Sequence, residues 1–173
     1  YILLNDPLNH DKEKFKLVKC KCNFIFLNPR PNENNIINYY NSDHYDPHNK
    51  NISSIWDSFY RYIQNILFRW KSKKINSIYK CPKILDIGGG LGAFAEYMSS
   101  LGCDTTMQDA FILIDNDNKN FNYVKTLDDV KENQVFDVIT LWHSLEHIHK
   151  IEAIFKHIDR LLKPNGQLFI AVP

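Results

Sequence analysis

The chain is poor in the features that would assign it to a membrane, a secretory route or a disulfide-stapled fold. No apolar run reaches about 18 residues, and no basic segment followed by an apolar stretch opens the chain, so neither a transmembrane segment nor a signal peptide is predicted. Only four cysteines occur, and they are expected to be reduced thiols. The expected location is the cytoplasm.

The chain also lacks an excess of charge of either sign, since the formal net charge is +1. The two halves differ, however, because residues 1–80 carry 13 Lys and Arg against 7 Asp and Glu, while residues 81–173 carry 8 against 13. Opposite charges favour docking of one half on the other, with an anionic substrate or surface as the alternative. The balance gives no clear sign of nucleic-acid binding, and 44% hydrophobic residues are typical of a globular domain.

Glycine is rare as well, with six residues in 173, yet three of them alternate in one short stretch. In KILDIGGGLG an apolar run predicts a buried parallel strand, and Gly88, Gly90 and Gly92 follow it before a helix begins at Ala93. A backbone without Cβ can turn sharply and lie close to a ligand, and a helix N-terminus offers unpaired N–H groups. The stretch is therefore predicted to cradle a ligand.

Two acids near this turn bear on the type of ligand. Gly88, Gly90 and Ala93 formally satisfy the dinucleotide fingerprint, with Asp109 placed to bind a ribose. Asp86, two residues before the first glycine, would repel a pyrophosphate and would suit a ligand that carries an amino group and a sulfonium. An NAD(P)-dependent oxidoreductase is therefore the less favoured alternative.

The pattern Asp86-x-Gly88-x-Gly90-x-Gly92 resembles motif I of the class I S-adenosylmethionine-dependent methyltransferases. FDVITLWHSLEHIHK and LLKPNGQLFIAVP are similar to the fourth-strand and fifth-strand motifs of that superfamily, in the expected order. CKCNFIFLNPRP followed by NYYNSDHY is similar to the N-terminal region of its ubiquinone-biosynthesis-like branch. The resemblance implies S-adenosylmethionine as the cofactor and methyl transfer to an O or N nucleophile of a small-molecule acceptor, which the sequence does not identify.

The expected architecture is a doubly wound, mostly parallel α/β sheet of the Rossmann-like kind, with strand order 3-2-1-4-5 and the cofactor at the switch point beside the first strand. Residues 1–50 are expected to form an extended segment or flap, residues 51–80 an amphipathic helix, and residues 81–173 the cofactor-binding domain. The family carries two further strands that are not expected here. A non-catalytic or partner-dependent cofactor-binding fragment is therefore the main alternative.

Six residues are predicted to bind the cofactor. Asp109, at the tip of the second strand, is expected to accept hydrogen bonds from both ribose hydroxyls of an adenosine. Trp142 lies at the tip of the fourth strand. The full set is Asp86, Gly88, Gly90, Gly92, Asp109 and Trp142.

His143 is the candidate catalytic residue, because imidazole is the side chain best suited to accept a proton at neutral pH. The alternative is that His143 only packs against the cofactor, while Glu146 and His147 cap and brace the next helix. HxxEH also matches an inverted zinc-protease signature, but that site needs both histidines on one helical face and a further carboxylate. Cys20 and Cys22 are too few for structural zinc, so no metal is predicted.

An amphipathic helix is predicted over residues 52–78. Its apolar stripe is expected to pack on the sheet, although a basic amphipathic helix can also lie on a membrane surface. The stripe consists of Ile52, Ile55, Trp56, Phe59, Ile63, Ile66, Leu67 and Trp70. Ahead of this helix, Tyr40 and Tyr45 are expected to belong to a flap that covers the cofactor or substrate.

Overall fold

The computed structural model describes residues 2–5, 14–30, 32, 54–112, 119–131 and 133–173. The chain divides into two units, Tyr1–Ser53 and Ser54–Pro173. In the first unit, three antiparallel strands form a sheet of order β1-β2-β3. They are β1 (Ile2–Asn5), β2 (Lys14–Lys19) and β3 (Ile25–Leu27). The predicted flap tyrosines, Tyr40 and Tyr45, lie outside the described residues.

The second unit contains helix α1 and a five-stranded parallel sheet with two further helices. The strands are β4 (Lys83–Ile87), β5 (Asp104–Gln108), β6 (Asn122–Val124), β7 (Phe136–Trp142) and β8 (Leu162–Ala171). The helices are α1 (Ser54–Asn76), α2 (Ala93–Ser100) and α3 (Ile151–Leu161). The strand order β6-β5-β4-β7-β8 confirms the predicted order 3-2-1-4-5.

Alternate residues of β4 point to opposite sides of the sheet, as the twofold period of a strand requires. Ile84 belongs to a buried cluster with Phe94 and Met98 of α2, and the neighbouring Leu85 to a cluster with Leu161 of α3. Both faces of the central strand are thus covered by helices. This explains why β4 is an almost continuous apolar run, which is typical of a doubly wound parallel sheet.

The last strand begins earlier than the sequence predicts. The turn-forming residues Lys163-Pro164-Asn165-Gly166 predict the end of a helix there and a strand that starts at Gln167, but β8 starts at Leu162, directly after α3. Leu162 pairs with Phe136, and the ladder resumes only at Gln167 opposite Val138 after a register shift. The turn residues are therefore accommodated inside the strand as an irregularity, with Asn165 at a φ of +66°.

The predicted packing face of α1 is wrong. Of the predicted stripe, the five described side chains, from Phe59 to Trp70, are between 40% and 57% exposed. The helix instead packs through Phe68, Ser72 and Ile75, of which Ile75 is fully buried. Because large apolar residues surround most of the helix, the apolar period did not identify the buried face. No helix among the described residues is long and apolar enough to cross a membrane.

Candidate cofactor-binding and active site

The predicted site residues lie at the carboxyl ends of three neighbouring strands. Asp86 is the penultimate residue of β4 and pairs with Met107 of β5 on one side and Thr140 of β7 on the other. Asp109 follows β5 directly, and Trp142 is the last residue of β7. Because the chain leaves β4 toward β5 and returns on the other side at β7, this edge is the topological switch point of the sheet.

The glycine turn follows β4 and has the backbone conformation that only glycine adopts easily. Gly88, Gly90 and Gly92 have φ values of +71°, +59° and +79°. A Cβ atom at Gly88 would lie 2.5 Å from Ser144 Cβ, and one at Gly92 would lie 2.4 Å from Phe121 Cζ. A Cβ atom at Gly90 would meet nothing within 4 Å. The backbone of Gly90 therefore borders open space, as a ligand cradle requires.

Asp109 is buried and anchored to the backbone around it. The N–H group of Gly90 donates to Oδ2 over 3.0 Å, and the N–H groups of Phe111 and Ile112 donate to Oδ1 over 2.9 and 3.0 Å. These bonds fix the carboxylate beside the open space at Gly90. Each carboxylate oxygen has two acceptor sites, so Oδ2 keeps one for a ligand hydroxyl.

Asp86 is a buried carboxyl group that accepts a hydrogen bond of 2.5 Å from Thr140 Oγ1. Burial raises the pKa of Asp86 to about 6, and the nearby charge of Asp109 acts in the same direction. The Thr140 hydrogen bond and the positive charge of Lys71 oppose this increase in pKa. The group can therefore gain or lose its proton close to neutral pH.

Lys71 is a site residue that the sequence analysis missed. Its Nζ atom lies 4.3 Å from the centroid of the Trp142 ring and 5.7 Å from that of Phe94. Burial lowers the pKa of Lys71, and the charge of Asp86 partly counteracts this effect. A signal was present in the sequence, because Lys71 lies at helical spacing between Phe68 and Ile75 on the buried face of α1.

Trp142 packs within an aromatic cluster under Lys71. Its ring meets Phe94 edge-on at 5.7 Å and lies 6.4 Å from Phe169. The Nε1 atom is buried and has no hydrogen-bond partner. The Trp142 side chain thus packs against its aromatic neighbours at the carboxyl end of β7. Its contact with a cofactor stays a prediction.

His143 has a φ of +55°, a left-handed conformation that is uncommon for a residue with a Cβ atom. Its N–H group donates to the carbonyl oxygen of Ala171 over 2.8 Å, which fixes the backbone at this point. The side chain is 61% exposed, and its Nδ1 atom is 3.9 Å from Glu146 Oε1, beyond hydrogen-bond distance. The imidazole is therefore available to a molecule outside the sheet.

The zinc-protease alternative does not fit this segment. Leu145–His147 form a single 3-10 turn, so the two histidines of HxxEH do not share the face of a regular helix. Across the part of the chain that the structure describes, no group of three or more His, Cys, Asp or Glu side chains could hold a metal ion.

Comparison with known proteins gives one family match. A family model described as a methyltransferase domain matches residues 55–173. The ubiquinone biosynthesis O-methyltransferase of Pelagibacter ubique is 34% identical over 121 residues, which cover 64% of this chain and 50% of that protein. The protein of the same name from Glaesserella parasuis is 31% identical over 113 residues, covering 57% and 48%. The chain thus spans about half the length of the curated relatives it matches.

Solved structures share the fold at low sequence identity. A putative sarcosine dimethylglycine methyltransferase from Galdieria sulphuraria superposes with a TM-score of 0.51 at 19% identity, covering 64% of this chain and 48% of that one. The plantazolicin methyltransferase, solved in complex with SAH, gives a TM-score of 0.50 at 22% identity, covering 72% and 53%. These similarities support the doubly wound α/β fold.

Proposed function

The chain belongs to the class I S-adenosylmethionine-dependent methyltransferase family, and we propose on that basis that it binds this cofactor at the glycine turn and transfers a methyl group to an O or N nucleophile. The observation that carries the proposal is the open space at Gly90, bordered by the anchored carboxylate of Asp109. The acceptor is a small molecule. The relatives named above are O-methyltransferases, so oxygen acceptors deserve the first trials.

The donor side of the site would be formed by Asp86, Gly88, Gly90, Gly92, Asp109 and Trp142. When bound, S-adenosylmethionine supplies a methyl group on a positively charged sulfur. Asp109 is predicted to bind both ribose hydroxyls, and we infer that its Oδ2 atom would accept a hydrogen bond from one of them, since two backbone N–H groups already donate to Oδ1. The buried carboxyl group of Asp86, when ionised, favours a ligand that carries positive charge.

The acceptor side would be served by His143. An acceptor that took the methyl group from the sulfonium would have to lose a proton from its nucleophilic atom. The exposed imidazole of His143 can accept that proton at Nε2. Most of the rate increase would come from alignment of the reacting groups, because methyl transfer requires the nucleophile in line with the bond that breaks.

The family match disfavours an NAD(P)-dependent oxidoreductase, and so does the buried carboxyl group of Asp86, which would repel a pyrophosphate when ionised. A cofactor-binding fragment that depends on a partner is compatible with the length that the chain shares with its relatives. A cytoplasmic location stays a prediction of the sequence, and so do the domain boundaries at residues 50 and 80.

Calorimetric titration of the purified chain with S-adenosylmethionine, S-adenosylhomocysteine and NADH tests the proposal. We expect the first two to bind and Asp109→Ala to abolish their binding. Asp104→Ala is the matched control, because Asp104 lies at the opposite end of β5 and its side chain is 56% exposed. Tighter binding of NADH would favour the oxidoreductase. Binding of the methyl donor without transfer to any acceptor would favour the fragment.

A further inference from the structure

Helix α1 has a second apolar face, on the side opposite the residues that it buries. We call it the outer stripe, and it consists of Tyr62, Ile63, Ile66, Leu67 and Trp70. These five side chains are between 40% and 62% exposed, although the same helix buries Ser72 and Ile75 on its opposite side. The outer stripe runs over more than two helical turns. A contiguous apolar patch of this kind on a protein surface usually marks an interaction site.

The charge of this helix is positive beyond its first turn, where Asp57 is the one acid. From Ser58 to Asn76 there is no Asp or Glu, while five basic residues occur, namely Arg61, Arg69, Lys71, Lys73 and Lys74. Lys71 faces the domain, whereas Lys73 and Lys74 are exposed in the last turn. The Nζ atom of Lys74 lies 5.8 Å from the centroid of the Trp70 ring, so the basic group and the outer stripe adjoin.

This combination argues against a second copy of the chain as the occupant. If two copies of α1 packed through their outer stripes, the basic residues of one helix would lie beside those of the other, and residues 58–76 of neither helix would supply an acid between them. A negatively charged surface would instead pair with every exposed cation. Charge complementarity therefore favours a negatively charged partner for this face of α1.

Among negatively charged partners, the residue types of the outer stripe favour a lipid surface. Tyr62 and Trp70 combine an apolar ring with one polar group, and such rings concentrate at the boundary between lipid headgroups and acyl chains. Exposed Leu and Ile beside Lys are the composition of helices that lie in the plane of that boundary. We propose that α1 docks on an anionic lipid surface, with the outer stripe at the acyl boundary and Lys73 and Lys74 on the phosphates.

The proposal is independent of methyl transfer and is tested by vesicle flotation with the full chain. The probes are vesicles of phosphatidylcholine alone and vesicles that also contain phosphatidylglycerol. We expect binding to the mixed vesicles only, and weaker binding at high salt because the charges are screened. The double variant Lys73→Gln and Lys74→Gln should bind about 25-fold more weakly, at about fivefold per lysine.

Two controls make the experiment decisive. Lys131→Gln with Lys156→Gln removes two exposed lysines elsewhere and should leave binding unchanged. Trp70→Gln should weaken binding without changing the circular dichroism, since the Trp70 side chain is 57% exposed. Equal binding to both kinds of vesicle, or to neither, would overturn the proposal. A dimer in sedimentation equilibrium that Trp70→Gln dissociates would also overturn it and would assign the outer stripe to a second copy.

Discussion

The ammonium group of Lys71 lies over the face of the Trp142 ring at 4.3 Å, and the same cation acts on the pKa of Asp86. A helix that precedes the sheet thus contributes a charge to the edge where the candidate site lies. The pairing has a chemical cost, because a half-buried cation close to a site for a positively charged sulfonium is unfavourable unless an anion lies near both. Asp86 is that anion.

Cofactor binding is expected to strengthen as the pH rises through about 6. The raised pKa of Asp86 leaves its carboxyl group mostly neutral at pH 5 and mostly ionised at pH 7, and only the ionised form attracts a cationic ligand. The affinity for S-adenosylmethionine should therefore increase about tenfold over this interval. Calorimetry at several pH values measures it. Asp86→Asn should show a flat profile, and an equally steep profile in this variant would assign the effect to another group.

Asp86→Asn is also expected to stabilise the fold at neutral pH. Because the folded-state pKa lies above the ordinary value, the stability associated with this group is present below about pH 4 and is lost as the pH rises through about 6. An amide keeps an acceptor for Thr140 and is not charged. The free energy of unfolding of the variant should exceed that of the native chain by about 3 kcal/mol at pH 7.5 and match it at pH 3. Denaturant unfolding at both pH values tests this expectation.

Removal of the Lys71 charge should move the binding midpoint to higher pH. The positive charge of Lys71 lowers the pKa of Asp86, so the pKa of Asp86 should rise further in Lys71→Met. Lys71→Arg keeps the cation and should keep the midpoint near that of the native chain. The observable is the pH at which half of the maximal affinity is reached. A midpoint that stays fixed in Lys71→Met would show that the two groups do not interact.

Alanine substitutions at Gly90, Gly92 and Gly102 should distinguish an effect on cofactor binding from an effect on the stability of the fold. Gly90→Ala introduces a left-handed alanine at a cost of about 1 kcal/mol, and its methyl group enters the ligand space, so affinity should fall at least tenfold. Gly102→Ala has similar strain at a φ of +86°, lies away from the turn, and should leave affinity unchanged. Gly92→Ala would collide with Phe121 and should lower the melting temperature most. Equal cofactor affinities of the Gly90 and Gly102 variants would show that the backbone at Gly90 does not border the cofactor.

His143→Asn is the variant of choice for the candidate base. Asparagine tolerates a positive φ, so the backbone at this position and the hydrogen bond to Ala171 should persist. Cofactor affinity should be unchanged, while the rate of S-adenosylhomocysteine release with an accepted phenol or amine should fall about 100-fold. An unchanged rate would leave His143 with a packing role only.

Most of the sheet could be predicted because its signals are local. The apolar run of β4, the alternating glycines after it and the acid after β5 each depend on a few adjacent residues, and they placed the carboxyl edge correctly. The parallel order then followed from general rules of connection. The start of β8 was missed, because Pro164 and Gly166 predict a turn whether or not the chain around them pairs with a neighbouring strand.

The rest of the candidate site depends on contacts between elements distant in sequence. The helical spacing of Lys71 between Phe68 and Ile75 was not sufficient to assign it to the site, because the other apolar residues around α1 obscured which face is buried. The left-handed backbone of His143 has only a weak local signal, because histidine adopts a positive φ more often than most residues but still uncommonly. Its hydrogen bond to Ala171, at the end of β8, joins residues distant in sequence.

The hydrogen bond between Thr140 and Asp86 joins residues that are 54 positions apart, and this separation has a consequence for synthesis. Strands β4, β5 and β6 leave the ribosome before β7, so the central strand exposes one unpaired edge until the fourth strand of the sheet has emerged. An unpaired edge on the central strand is a site for aggregation and for chaperone binding until β7 pairs with it.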